Sequence, residues 1–226
     1  MQNSQLLQLV LQGSAETLYM TLVSAFVAYV LGIPIGVILY ITDQGGFCQN
    51  RIVNAVTGSI INLIRSVPFI ILLVAMLPVT RALVGTTIGS TATIVPLVAA
   101  AAPFVARMVE SSLKEINGGI LEAAQAMGSD PFQIIWKVLL PEAKPSLLIG
   151  GAIAVTTILG YSAMAGFVGG GGLGAIAINY GYYRYDTKTM MVTVVLLVII
   201  VQIFQEAGFR AASRADKRRR NGQKSK

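Results

Sequence analysis

This 226-residue sequence is short of charged residues and has no histidine. Asp, Glu, Lys and Arg together make up 12% of it, against roughly a quarter in a soluble domain. Cysteine occurs once, as Cys48, which excludes an intramolecular disulfide, and the lack of histidine removes the commonest metal ligand and general base. We therefore expect no metal site, no catalytic triad and no enzyme chemistry in this chain.

The chain is instead rich in apolar residues, which make up 54% of it. Five apolar runs are long enough to cross a hydrocarbon core of about 30 Å as helices, namely 15–41, 56–79, 88–109, 146–167 and 189–209. The sequence thus predicts an all-α integral membrane protein with five transmembrane helices. Residues 15–209 would form the transmembrane domain, between an external segment, 1–14, and a basic tail, 210–226. No basic flank precedes the first run, so a cleaved signal is not expected.

Prolines and small residues within the runs indicate how the helices pack. A membrane bundle tolerates proline because neighbouring helices satisfy the freed backbone groups, so kinks are expected at Pro34, Pro68, Pro96 and Pro103. Gly32-x-x-x-Gly36 and the alanines 99–102 would let two backbones approach closely. Ordinary span composition explains them equally well, and the sequence alone leaves both interpretations open.

Basic residues predict the orientation of the chain in the membrane. Of the seventeen Lys and Arg, eight lie in the last seventeen residues, so the net charge indicates a lipid-contacting tail rather than binding to nucleic acid. A cytoplasmic tail and five spans place the N-terminus outside. Thirteen basic residues then lie on the cytoplasmic side and three outside, as the positive-inside rule requires.

The longest predicted cytoplasmic loop, about 110–145, reads as a helical hairpin. Gly128 suits the end of a first helix, and Asp130 followed by Pro131 suits the start of a second. Apolar residues recur at helical spacing in both arms: Ile120, Leu121, Ala124 and Met127, then Phe132, Ile135, Trp136 and Leu139. This stripe either packs on the protein's own spans or fills a groove on a partner, and periodicity does not decide between them.

The hairpin resembles the EAA loop of ATP-binding-cassette (ABC) importer permeases. The residues that carry the resemblance are Glu122, Ala123, Ala124, Gly128, Leu140 and Pro141. This sequence departs from the family pattern only at Val138, which stands in place of isoleucine. In that family the loop is a coupling element that docks on a separate ATPase. The resemblance therefore implies an ATPase-coupling role for these residues and for Pro131.

Further stretches look like the membrane subunit of bacterial methionine importers, and coverage runs from about Glu16 to Gly208. They are RSVPFIILL from Arg65, AAPFVARMVE from Ala101, GYSAMAGFVGGGGLG from Gly160 and NYGYYRYDT from Asn179. The resemblance implies a five-span type I importer permease in a bacterial inner membrane. It further implies a homodimer, two ATPase subunits that bind ATP and magnesium, and an external methionine-binding protein. Tyr161 and Met164 would line the gate, although bundle packing would also explain them.

The ATPase must be another chain, because no G-x-x-x-x-G-K-[ST] phosphate loop occurs in this one. Gly169, Gly171 and Gly174 satisfy G-x-G-x-x-G, but no strand-helix unit surrounds them. They more plausibly allow an irregular turn and close helix contact, so no cofactor is expected on this chain.

The principal alternative is an ion-coupled secondary transporter or channel. Such a protein would use intramembrane carboxylates, and the apolar runs contain only Glu16 and Glu206, both near ends. Arg65 and Arg107 fall in or near spans, where we expect structural or interfacial roles because arginine reaches the headgroups from near a helix end.

Overall fold

The computed structural model describes residues 3–215, which contain helices and no strand. Four helices are long and apolar enough to cross a membrane, and a bent pair of shorter helices brings the number to five. The helices are α1 (Asn3–Thr42), α2 (Arg51–Ser66), α3 (Phe69–Ala75), α4 (Leu77–Val84), α5 (Ser90–Lys114), α6 (Gly118–Ala126), α7 (Pro131–Gln133), α8 (Leu140–Ala165), α9 (Gly172–Ile176) and α10 (Thr187–Ala215). The π-helical turn Ile134–Leu139 joins α7 to α8, and a second one, Ala177–Tyr182, extends α9.

The first helix is longer than the apolar run predicted. It begins at Asn3 rather than residue 15, so the described part of the expected external segment, residues 3–14, is helical and continuous with the first span. Its 40 residues correspond to roughly 60 Å of α-helix, about twice the thickness of a hydrocarbon core. At least one end of α1 therefore extends beyond the apolar region.

Helices α1 and α5 form the most extensive helix pair of the bundle, and small residues explain their contact. A Cβ atom on Gly32 would lie 2.6 Å from Val105 Cγ1, and one on Gly36 would lie 2.5 Å from the carbonyl oxygen of Ala106. Any side chain at either glycine would push the helices apart. Of the two open interpretations of Gly32-x-x-x-Gly36, close backbone approach is therefore the right one.

The second apolar run, 56–79, is interrupted at Pro68, where a kink was expected, but it breaks into separate helices rather than bending within one. Helix α2 ends at Ser66, and α3 leaves it at a bend of 103°. Proline cannot donate a backbone hydrogen bond, and it forces the preceding residue into extended conformation. Accordingly, Val67 has φ −83° and ψ 125° and Pro68 has ψ 136°. Pro34, Pro96 and Pro103, by contrast, lie inside continuous helices.

The crossings alternate between two ends of the bundle. At one end the start of α5 meets the glycine-rich segment, through a bond from the Gly89 N–H to the Gly169 carbonyl of 2.9 Å. At the other end Lys114, the last residue of α5, meets Asp43, just beyond α1. We call these the glycine-rich end and the hairpin end. The described chain starts at the first and finishes with Ala215 at the second. Residues 210–215 of the expected basic tail belong to α10, and the rest of that tail, 216–226, lies outside the described part.

Candidate functional site

The hairpin between α5 and α8 is built from local capping interactions. Asn117 caps α6, its side chain accepting from the Gly119 N–H at 2.9 Å. At the turn Gly128 has φ +75°; its N–H donates to Gln125 at 2.9 Å, and the Ser129 N–H donates to Ala124 at 3.2 Å. This pair of bonds is a Schellman motif. The predicted helix, turn and second helix are therefore present, with glycine at the left-handed position.

The second arm begins as the sequence predicted, but it does not end before the next span. The Asp130 carboxylate accepts from the Gln133 N–H at 2.9 Å, and Pro131 occupies the first helical turn. From Pro131 the helix runs through Pro141 and Pro145 to Val168 without interruption. In the π-helical turn the Leu140 N–H bonds to the Ile135 carbonyl, five residues back. The expected loop boundary at residue 145 therefore falls inside a continuous helix.

The apolar stripe of the hairpin divides into two parts. Ala124 and Leu139 lie in the main core, together with Ile134. On the opposite side are three exposed residues that define the hairpin patch: Met127, Phe132 and Trp136, with exposed fractions of 79%, 69% and 58%. The Phe132 and Trp136 rings contact each other, with centroids 6.0 Å apart. Packing on the protein's own spans is therefore confirmed for the buried residues. For the exposed residues, contact with a groove on a partner stays a prediction.

The predicted coupling residues lie on both arms of the hairpin and at the start of α8. Glu122, Ala123, Gly128, Pro131 and Pro141 are exposed, Leu140 is half-buried and only Ala124 is buried. A groove of about 450 Å³ runs beside them, lined by Asn117, Gly119, Ile120, Ala123, Ala124, Met127 and Val138. Glu122 does not cap its own helix, since Asn117 does.

The glycine-rich segment forms a tight turn at the opposite end of the bundle. Gly169, Gly171 and Gly172 have φ values of +81°, +80° and +73°. A Cβ atom on Gly174 would lie 2.5 Å from both the Cα and the carbonyl oxygen of Ala163 in α8. The interpretation as an irregular turn with close helix contact is confirmed.

A carboxylate holds the start of α9, which the sequence did not reveal. Glu16 accepts from the Gly172 N–H at 2.8 Å, and the Thr17 hydroxyl accepts from the Leu173 N–H at 2.9 Å. A negative group at a helix N-terminus is favoured by the helix dipole. Because its partners lie 156 residues away in sequence, no local pattern indicates this role.

The two predicted gate residues lie on α8 but differ in their surroundings. The Tyr161 ring stacks on Phe69, the first residue of α3, with centroids 4.4 Å apart and planes 7° apart. Met164 has an exposed fraction of 47%. Tyr161 therefore contacts the bent second span, whereas about half of the Met164 side chain is exposed.

The chain matches a known protein family. A family model described as "binding-protein-dependent transport system inner membrane component" matches residues 32–215. The chain belongs to this family. Among its relatives is a probable D-methionine transport system permease protein of Vibrio cholerae, 52% identical over 93% of both chains. The D-methionine transport system permease protein of Escherichia coli is 52% identical over 70% of this chain and 73% of that protein.

Solved structures of ABC transporter chains share the fold of this chain. The chain superposes on one from the MetNI methionine ABC transporter, in an inward facing conformation, with a TM-score of 0.94 and 49% identity, over 96% of this chain and 100% of that one. This likeness identifies the fold as that of type I importer permeases. A chain of an amino acid ABC transporter shares the fold alone, with a TM-score of 0.78 and 17% identity over 93% and 96% of the two chains.

At its hairpin end the permease carries a network of charged side chains. Glu110 has a side-chain exposure of 8%; its two carboxylate oxygens lie 2.7 Å from Arg107 Nη1 and 2.8 Å from Lys114 Nζ. Lys114 also lies 2.7 Å from the Asp43 carboxylate. By donating a hydrogen bond, Lys114 holds the pKa of Asp43 below its ordinary value. The contact is therefore fully charged at neutral pH.

The two arginines that were expected to have structural or interfacial roles differ in their surroundings. Arg107 is half-buried within this network, whereas Arg65 is exposed in the last turn of α2. The spacing of Arg107, Glu110 and Lys114, three and then four residues apart, is the signal that could have revealed the network, since such residues are neighbours on a helix.

The carboxylates Glu16 and Glu110 both accept hydrogen bonds within the protein, which disfavours an ion-coupled mechanism based on them.

Proposed function

We propose that this chain is the permease subunit of an ATP-driven methionine importer in a bacterial inner membrane. The observation that carries the proposal is the exposed patch on a capped hairpin whose second arm continues into a span. The proposed substrate rests on the relatives, which are named for D-methionine transport. Two copies of the chain would form one translocation pathway at their interface, since cyclic dimers are the commonest oligomers.

The hairpin patch would dock on a partner ATPase that binds ATP and magnesium. Met127, Phe132 and Trp136 present an apolar surface at the end of the bundle, in the manner of a helix that fills a groove. Large exposed aromatic side chains are typical anchors of protein interfaces. Glu122 and Gly128 would lie at the rim of the same contact.

Transmission of motion would follow from the continuity of the helix. A displacement of the second arm of the hairpin is a displacement of the helix that runs to Val168, because no flexible loop separates them. That helix carries Tyr161 and Met164 to the proposed gate. ATP binding and hydrolysis by the partner would in this way open and close the pathway.

The orientation that fits this mechanism places the hairpin end in the cytoplasm, where ATP is available. The N-terminus then lies outside and the C-terminus inside. An external methionine-binding protein would deliver substrate at the glycine-rich end.

Transport assays test the proposed function. We expect proteoliposomes that contain this chain, its ATPase and its binding protein to take up radiolabelled methionine only when ATP is supplied on the ATPase side. Trp136→Glu should lose both the uptake and the co-purification of the ATPase, because a charge in an apolar contact is strongly unfavourable. Trp136→Phe, the matched control, should retain both. Uptake without ATP or without the ATPase would contradict the proposal and favour the ion-coupled alternative.

A second prediction concerns the gate. Tyr161→Ala removes the ring that stacks on Phe69, and Met164→Ala removes a flexible side chain suited to a surface that parts and reseals. We expect either variant to raise the ATP hydrolysed per methionine transported. Tyr161→Phe and Met164→Leu keep the apolar contacts and should resemble wild type. An unchanged ratio in both alanine variants would remove these residues from the gate.

A further inference from the structure

The bent second span is held on its two sides by different parts of the bundle. Its first half is α2 and its second half begins with α3 at Phe69, with the 103° bend between them. Near the bend, the Val67 N–H donates to the Ile64 carbonyl at 3.2 Å, and the Ile71 and Leu72 N–H groups both donate to the Pro68 carbonyl at 3.0 Å. Each of these bonds joins residues on one side of the Val67–Pro68 peptide.

Arg107 holds the α2 side. Its Nη2 donates to the Gly58 carbonyl at 3.3 Å and to Asn62 Oδ1 at 3.1 Å, both on α2. A Cβ atom on Gly58 would lie 3.2 Å from the same nitrogen, so glycine leaves the space that the guanidinium uses. One planar side chain on α5 therefore binds two successive turns of α2.

Glu110 orients Arg107 through the other guanidinium nitrogen, at 2.7 Å. The second Glu110 oxygen binds Lys114, which reaches Asp43 at the end of α1. One chain of ion pairs and hydrogen bonds thus joins the ends of α1 and α5 to the middle of α2. A guanidinium can bind Glu110 and α2 at once because its donors form a rigid fork, which a lysine ammonium does not reproduce.

The α3 side contacts both α5 and α8. The Phe69 ring lies flat on Tyr161, and α8 is helically continuous with the second arm of the hairpin. Through this contact with α8, a movement of the hairpin relative to the α1–α5 pair would change the angle between α3 and α2. The peptide between Val67 and Pro68 is where the backbone would absorb it.

We propose that Arg107 is a positioning residue for transport: it keeps α2 fixed to α1 and α5, so that Val67–Pro68 serves as the hinge of the transport cycle. This inference rests on the proposed function. Besides the gate residues on α8, it assigns a role to α2, the half of the second span that stays fixed while α3 moves.

The test uses Arg107→Lys in the assembled transporter. The lysine keeps the charge beside Glu110 but loses the fork that reaches α2. We expect the ATP hydrolysed per methionine transported to rise about tenfold, with ATP hydrolysis itself and complex assembly unchanged. Asn62→Leu, which removes one acceptor only, should show a smaller rise in the same ratio. Ser59→Ala, at an exposed position on the same helix, is the control and should match wild type.

Parallel losses of hydrolysis and uptake in Arg107→Lys would indicate a merely structural role and overturn the proposal, as would an unchanged ratio in both variants.

A substrate-independent measurement distinguishes a failure of the hinge proposal from a failure of the proposed function. With Cys48 replaced by serine and labelled chains diluted by unlabelled ones, spin labels at Ser59 and Ser111 report α2 against α5, and labels at Ser59 and Ile71 report α2 against α3. Between nucleotide-free and ATP-trapped states the first distance should stay constant and the second should change. The opposite pattern would refute the hinge even if methionine is not the substrate.

Discussion

Gly128→Val is expected to lower ATP-driven uptake roughly tenfold or more, because a left-handed residue with a Cβ atom costs about 1–2 kcal/mol, and a branched one is a genuine outlier. The φ of Gly128 is +75°. The two Schellman bonds that close α6 depend on that conformation. Valine would open the turn between the arms and displace Met127 from Phe132 and Trp136, so that the hairpin patch no longer fits one groove.

The matched control is Gly128→Asn. Asparagine visits the left-handed region readily, and no atom lies within 4 Å of the position its Cβ would take. We expect the asparagine variant to retain most of its uptake and its ATPase on co-purification. Equal losses in the two variants would show that the partner requires the absence of a side chain at this position, rather than the turn itself.

Gly174→Ala is expected to destabilise the permease by about 1–3 kcal/mol, the usual cost of an extra methyl group in a packed interior. The new Cβ would lie 2.5 Å from backbone atoms of Ala163, which no side-chain rotation can relieve. Separation of α9 from α8 would also pull Gly172 from Glu16. The thermal midpoint of the purified protein in detergent should fall by roughly 5 °C.

Gly160→Ala makes the same chemical change in α8, about one turn before Ala163, and provides the control. No atom lies within 4 Å of a Cβ at this position, and alanine in place of a helical glycine is stabilising by about 0.5–1 kcal/mol. Its thermal midpoint should equal or exceed that of wild type. A Gly174→Ala protein as stable as this control would contradict the close contact between α9 and α8.

Features set by residues near in sequence were predictable, and those of the hairpin are the clearest case. Gly128, Asp130 and Pro131 form the turn as their chemistry requires, because a cap satisfies backbone groups only two or three residues away. The apolar runs likewise predicted where α5 and α10 lie. Pro68 likewise predicted where the second span bends, but the angle of 103° between α2 and α3 depends on the packing around the bend and could not be predicted.

The sequence by itself determined a helical membrane protein with alternating crossings, a capped hairpin and an importer-like motif, because composition, helical spacing and capping act within a few residues. Only the tertiary structure decided which half of the hairpin stripe is buried, how Glu16 holds the glycine-rich turn, and that Arg107 joins α5 to α2. Each of these depends on what lies opposite a side chain. That neighbour comes from a distant part of the chain, and its position is set by the packing of whole helices rather than by the residues beside it.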